Sequence, residues 1–318
     1  MRDDRLLAHK LRNRIHSAAL VALLALLLAY LAWFICGTLL AWVALVTVVV
    51  LSMANPAASP RLAMALYQAR PLAYEEAPEL YRLLRELSRR GGLERVPLLY
   101  YLPSRLLNAF TAGAGPEAAI ALSDGMLRRL SPREIIGVLA HEVSHIANGD
   151  TRVMGFADLI SRITGMLSLV GQILLLVGIP LWLLAGAAIP WGPILVLLFA
   201  PTLSALVQLA LSRNREYEAD RSAAELSGDP HALASALQKL ELYQGGLWER
   251  LVMPGRRVPE PSLLRTHPPV EERVKRLMDL AAHEPLTPLS QGWGRDTAAV
   301  LRTSQPLPPR RHFTGLWY

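Results

Sequence analysis

Cysteine is almost missing from this chain of 318 residues: Cys36 stands alone, so it cannot form an intrachain disulfide, which suits a reducing compartment. Charge is missing from two long stretches, Ser17 to Met53 and Ile163 to Ser212. An ordinary soluble domain has no use for such stretches, and a helical membrane span needs about 20 apolar residues. The first stretch is just long enough for two spans with a turn at Gly37-Thr38, although one long tilted or re-entrant segment is the alternative. The second holds two spans comfortably, split by Pro190-Trp191-Gly192-Pro193; Pro180 and Pro201 are expected to kink them, as membrane interiors tolerate. A lipid bilayer is therefore an expected partner. No internal repeat is present, and no second Glu-x-x-His pair accompanies Glu142 and His145, which argues against a di-iron carboxylate protein. No basic motif interleaved with aromatics argues for nucleic acid.

The net charge of +7 has a simpler source. Arg2, Arg5, Lys10, Arg12 and Arg14 precede the first span, and Arg61 and Arg70 follow the second. Arg152 and Arg162 precede the third, and Arg213, Arg215 and Arg221 follow the fourth, while neither hairpin tip carries a Lys or Arg. The positive-inside rule then puts both termini and the soluble part of the chain in the cytoplasm. The first apolar run is too long for a signal-peptide core and lacks a clean small-residue cleavage site, so it is expected to remain as an anchor.

Chemistry is concentrated in His141-Glu142-Val143-Ser144-His145. Two His at i and i+4 project from one helix face, where both imidazoles can grip a single Zn²⁺. The Glu between them can take a proton from a water held by that metal. The surroundings spell a helix: Ser131-Pro132 supplies an N-cap and a Pro at the first helical position, Glu134 completes a capping box, and Asn148-Gly149 is a stop signal. A catalytic zinc needs a third protein ligand. With one Cys and eight His the candidates can be counted. His9 and His16 lie in a basic arm, His231 follows a Gly-Asp-Pro turn, and His283 and His312 fall in a Pro-rich tail. The best candidate is Glu216 in Arg215-Glu216-Tyr217-Glu218-Ala219-Asp220, where Glu216 and Asp220 share a helix face. One of the two can bind metal while the other accepts the free N–H of a ligating His. On its own this segment also reads as a solvated face of alternating charge.

Four motifs together carry a resemblance: H-E-V-S-H-I-A-N-G-D (His141 to Asp150), S-R-N-R-E-Y-E-A-D (Ser212 to Asp220), N-A-F-T-A-G (Asn108 to Gly113) and T-H-P-P-V-E-E-R (Thr266 to Arg273). Over roughly residues 1 to 280 the chain resembles the HtpX-type membrane zinc metalloproteases, relatives of the CAAX prenyl endoproteases. The resemblance implies a gluzincin-like site with one Zn²⁺ on His141, His145 and Glu216, Glu142 as general base, and Asp220 behind the ligands. It also implies that Asn108 and Ala109 hold an extended substrate on an edge strand, against the plainer reading of Asn108 as a turn cap. His267 either donates a hydrogen bond to the oxyanion of the reaction or caps the helix that Pro268-Pro269 introduces. The implied role is membrane quality control and stress response, with misfolded or damaged membrane proteins cut on the cytoplasmic side of the cell membrane. A CAAX-type processing endoprotease and a membrane scaffold with an inactive zinc site are the alternatives.

The expected fold is mainly α within an α+β class: four transmembrane helices and a cytoplasmic zincin domain carrying a small sheet. Its parts are a basic arm at 1–16, a transmembrane hairpin at 17–53, a first protease half at 54–162, a second hairpin at 163–212, a second protease half at 213–282 and a Pro-rich tail at 283–318. Glu75 to Arg90 reads as an amphipathic helix with Leu80, Leu83, Leu84 and Leu87 on one stripe. Val96 to Leu102 and Ala118 to Ser123 read as strands, with Asn108-Ala109-Phe110 as an edge segment between them. Leu233 to Leu242 and Val270 to Leu280 read as further helices. The tail after Ala282 reads as a flexible segment, with docking through its closing aromatics as the alternative.

Overall fold

Hydrophobic periodicity dictates most of the elements. The structure is a computed structural model, and it describes residues 60–186, 188–189, 191–245, 268–283 and 286–289, with residues 15, 18–27, 29–31, 33 and 46. The helices are α1 (Pro60–Leu66), α2 (Pro78–Arg90), α3 (Asp124–Arg129), α4 (Pro132–Asn148), α5 (Asp150–Ala185), α6 (Trp191–Ser227), α7 (Pro230–Gly245) and α8 (Val270–His283). The strands are β1 (Arg70–Pro71), β2 (Leu98–Leu102), β3 (Ala109–Ala112) and β4 (Ala119–Ser123). This is a mostly helical chain with one small mixed sheet. The chain divides into two compact units, one from residues 1–56 and 152–215, the other from 57–151 and 216–318.

The first unit holds most of α5 and of α6, both long and apolar enough to cross a membrane. They run on through Pro180 and Pro201. Gly171 permits a close approach, since a Cβ there would meet Leu197 Cβ at 2.7 Å. Ser161 Oγ lies 2.9 Å from Ser204 Oγ and donates to Gln208 Oε1 at 2.9 Å, the kind of polar cross-link apolar helices use when no water is at hand. Residues 18–27 are helical, and Leu24 and Ala25 pack with Phe156, Ala157 and Ile160 of α5 and with Val207 and Leu211 of α6. The expected turn at Gly37-Thr38, and with it the count of spans in the first apolar stretch, lies outside the described residues.

The second unit is built on a four-stranded sheet of order β1-β2-β4-β3. β2 and β4 are parallel, whereas β1 and β3 join antiparallel at the two edges. Pleating sends alternate residues to opposite faces. Leu99, Ile120 and Leu122 meet the apolar stripe of α2 and helix α4, while Tyr100, Phe110, Ala112 and Ala121 pack with Met64 of α1. The stripe Leu80, Leu83, Leu84 and Leu87 is buried as its spacing requires, but the helix starts at Pro78; Tyr74–Glu76 form a separate 3-10 turn because proline is at home in a first turn and breaks an interior one. The Asn108 segment lies at the outer edge beyond β4, so β2 and β4 pair directly. Gly137 lets α7 press on α4, since a Cβ there would meet the Leu233 backbone at 3.0 Å. The folded body extends past Ala282: Leu289 is buried in the core, and Thr287 packs against Gly228. The remainder of the tail lies outside the described residues.

Candidate metal centre

Helix α4 starts and stops where its residues dictate. Ser131 Oγ accepts from the Glu134 N–H, the Glu134 carboxylate accepts from the Ser131 N–H, and Gly149 ends the helix with φ 69°. Glu134 is also bound by Ser235 Oγ and Lys239 Nζ of α7, at 2.6 and 2.8 Å, which fixes the helix start against its neighbour. One turn before its end the helix presents His141 and His145, with Nε2 atoms 3.0 Å apart and rings edge to face. Two nitrogens on a tetrahedral zinc at about 2.0–2.1 Å would lie roughly 3.3 Å apart, so the pair is spaced for one cation. Glu216 of α6 comes to them from another part of the sequence: its Oε2 lies 3.4 Å from His141 Nε2 and its Oε1 3.8 Å from His145 Nε2. Ligand atoms of the three residues all lie within 4.8 Å of one another, a group that could hold a metal ion.

Each imidazole has a carboxylate beside its second nitrogen. His141 Nδ1 faces Asp220 Oδ1 at 3.1 Å, and His145 Nδ1 faces Asp150 Oδ2 at 2.7 Å. Such partners fix the ring and leave Nε2 free to bind metal. Asp220 in turn accepts two hydrogen bonds from Arg273 of α8, at 2.7 and 2.6 Å, and the same guanidinium lies 3.1 Å from Glu216 Oε2. All of these side chains are buried or nearly so. Burial opposes charge on His141, but Asp220 and Glu216 outweigh it and push the imidazole up to about 10. Burial and the neighbouring His141 likewise oppose charge on His145, and its bond to Asp150 with the field of Glu216 raises it all the same. The surroundings select positive charge at the two Nε2 atoms, which protons or a divalent cation can supply. The residues fit a His-His-carboxylate metal site.

Glu142 faces the sheet, and its Oε2 accepts a 2.7 Å hydrogen bond from Thr111 Oγ1 on β3. The β3 backbone has a definite orientation. Asn108 donates its N–H to Ser123 Oγ and accepts from the Ser123 N–H, both at 2.9 Å. Opposed residues of an antiparallel pair alternate between bonded and unbonded. Given the register Ala109↔Leu122, Phe110↔Ala121 and Thr111↔Ile120, Ala109 and Thr111 turn their backbone groups away from β4. Asn108 and Ala109 therefore differ: Asn108 has committed its backbone to Ser123 and offers only its side chain, whereas the Ala109 backbone points to the open edge.

The structure thus brings His141, His145, Glu216 and Asp220 together, sets Glu142 beside Thr111, and leaves Ala109 on an edge. His267 lies outside the described residues. Asp150, Arg273 and Thr111 have site contacts that the sequence reading did not single out. All three sit inside motifs quoted above, and the left-handed Gly149 that turns the chain back explains how Asp150 reaches His145.

Comparison with known proteins identifies the family. The pattern of peptidase family M48 matches residues 75–281. A protein of Nostoc punctiforme named Protease HtpX homolog is 35% identical over 294 residues, 86% of this chain and 98% of its own length. Proteins of the same name from Pyrococcus abyssi and Syntrophobacter fumaroxidans are 38% and 33% identical, over 70% and 84% of this chain and 80% and 99% of theirs. The crystal structure of S. mikatae Ste24p is 20% identical with a TM-score of 0.45, over 86% of this chain and 66% of that one.

Proposed function

The chain belongs to peptidase family M48 as an HtpX-type membrane metalloprotease, and from that premise we propose that it is a zinc-dependent endopeptidase acting on membrane proteins from the cytoplasmic side. The observation that carries this reading is the meeting of His141, His145 and Glu216 with a carboxylate on each imidazole and Glu142 on the same helix. His141, His145 and Glu216 would hold the metal. When bound, zinc supplies Lewis-acid polarisation of the scissile carbonyl and acidifies water, at a cost of no redox chemistry.

The rest falls to the chain itself. An extended substrate adds to β3 as a further strand, taking the backbone groups of Ala109 and Thr111, with the Asn108 side chain at the start of that edge. Backbone pairing ignores side-chain identity, which suits an enzyme that clears many damaged proteins. Glu142 takes the proton of the attacking water and passes it to the leaving amine, so one carboxylate serves as base and then acid. Asp220 and Asp150 keep the two imidazoles turned, and Arg273 offsets one of the two negative charges of Glu216 and Asp220. His267 is the proposed donor to the oxyanion. Misfolded or damaged membrane proteins are the proposed substrates, and the proposed setting is a multi-pass protein of the cell membrane with four spans and its termini and site in the cytoplasm.

The test is purification of the full chain in detergent under chelation, followed by Zn²⁺ addition with casein or a membrane-protein substrate. Cleavage that returns with zinc, including self-cleavage, supports the reading. Stoichiometric zinc without any cleavage would favour the scaffold alternative.

A further inference from the structure

We propose that Thr111 is a positioning residue that ties the general base to the substrate-binding strand, an inference that rests on the proposed zinc-protease reading. Its hydroxyl donates to Glu142 Oε2 at 2.7 Å and lies 3.5 Å from the Glu142 carbonyl oxygen. Both side chains are buried, where a hydrogen bond to a carboxylate is charge-assisted and water is not at hand to replace it. Thr111, like Ala109, is turned outward by the β3 register: its backbone groups face the outer edge while its side chain faces α4. One residue thus links the strand that would carry the peptide to the carboxylate that must reach the water beside it.

The consequence is a fixed spacing. A carboxylate on a helix has several rotamers, and only those that bring an oxygen towards the scissile bond are productive. The Thr111 hydroxyl selects one of them by occupying Oε2, leaving Oε1 for the water. Any small shift of β3 as a peptide docks carries Glu142 with it, so base and substrate keep their register. Proton transfer by a positioned side chain is worth about 10²- to 10⁴-fold, and much of that is lost when the group is displaced by even 1 Å.

Thr111→Val is the test, because valine keeps the β-branched shape that a strand favours and removes only the donor. In the full chain with zinc restored, and with labelled casein as substrate, kcat is expected to fall about 10- to 100-fold while KM and zinc content stay within twofold of the parent. Thr111→Ser restores the hydroxyl and should recover most of kcat. Three outcomes overturn the inference: kcat within twofold of the parent; a rise in KM at unchanged kcat, which would assign Thr111 to peptide holding alone; or loss of zinc, which would assign it to the metal site. The first of these, accompanied by a drop in thermal stability, would make the contact structural. Failure of the protease reading itself is separately visible, since the parent protein would then show no zinc-dependent cleavage.

Discussion

Two imidazoles on one helix do not make a metal site by spacing alone, because each ring turns about its own bonds until its second nitrogen is tied. For His145 that tie is the hydrogen bond to Asp150, and for His141 the carboxylate of Asp220 lies 3.1 Å away. Asp150→Asn should weaken zinc binding about 10- to 100-fold, a loss typical of partners behind the ligands, measured by competition with a chromophoric chelator. Asp220 carries more, because it also accepts both hydrogen bonds from buried Arg273. Asp220→Ala removes both of those bonds and leaves the guanidinium only its contact with Glu216; breaking a buried pair costs up to about 3–5 kcal/mol, so this variant should unfold at a clearly lower temperature than Asp220→Asn. Protonation makes a further prediction. In the metal-free protein His141 is raised to about 10, above its unfolded value near 6.5, so the imidazolium form stabilises the fold fully below about pH 6.5 and that stability is lost as pH rises through 10. Zinc must displace that proton, so binding at pH 7 should release at least one proton, read by calorimetry in buffers of different ionisation enthalpy. The His pair and the carboxylate pair four apart were legible because helical spacing fixes which side chains share a face. Thr111 and Arg273 were not, since their contacts join segments separated by 31 and 53 residues and no local period reports such a meeting.

Helix α4 shows how far local rules reach. Its first residue, its capping box and its stop at Gly149 follow from Ser131, Pro132, Glu134 and Gly149 alone. What those rules omit is where the helix lies, which Gly137 and the Glu134 contacts to Ser235 and Lys239 decide. A valine at Gly137 would drive its side chain into the Leu233 backbone, so Gly137→Val should lower thermal stability by about 1–3 kcal/mol and, by moving the helix that bears both His, weaken zinc binding as well. A stability loss with metal affinity untouched would show that α7 braces only the start of α4. Strand β3 is the opposite case. Four residues with no clean alternation of polarity give little periodic signal, and its edge position emerges only when β2 and β4 pair in parallel. The helix that opens at Pro78 was displaced from its expected start at Glu75 by a proline whose placement rule is plain once the 3-10 turn before it is seen.

At the scale of the whole chain, the strongest sequence signal was the absence of charge, and two helices long and apolar enough to cross a membrane, α5 and α6, cover the second uncharged stretch. Orientation rests on the distribution of Arg and Lys, and it makes a prediction of its own. In a Cys36→Ser background, a cysteine at Ala188 between the two spans should react with a membrane-impermeant reagent added outside intact cells, while one at His231 should react only after the membrane is opened. The reverse pattern would turn the molecule over and with it the side on which substrates are met. Division of one compact unit between residues 57–151 and 216–318 explains why no single stretch of sequence contains the site: the His pair comes from the first part, Glu216, Asp220 and Arg273 from the second. In the proposed His-His-Glu zinc site of this unit the proton carrier, Glu142, is not itself a ligand. Glu142→Gln in the full chain tests it most directly, by metal analysis and casein cleavage on one preparation. One zinc per chain is expected, as in the parent, with turnover lower by at least about 10²-fold. A metal-free Gln variant, or one that cleaves as the parent does, would contradict it.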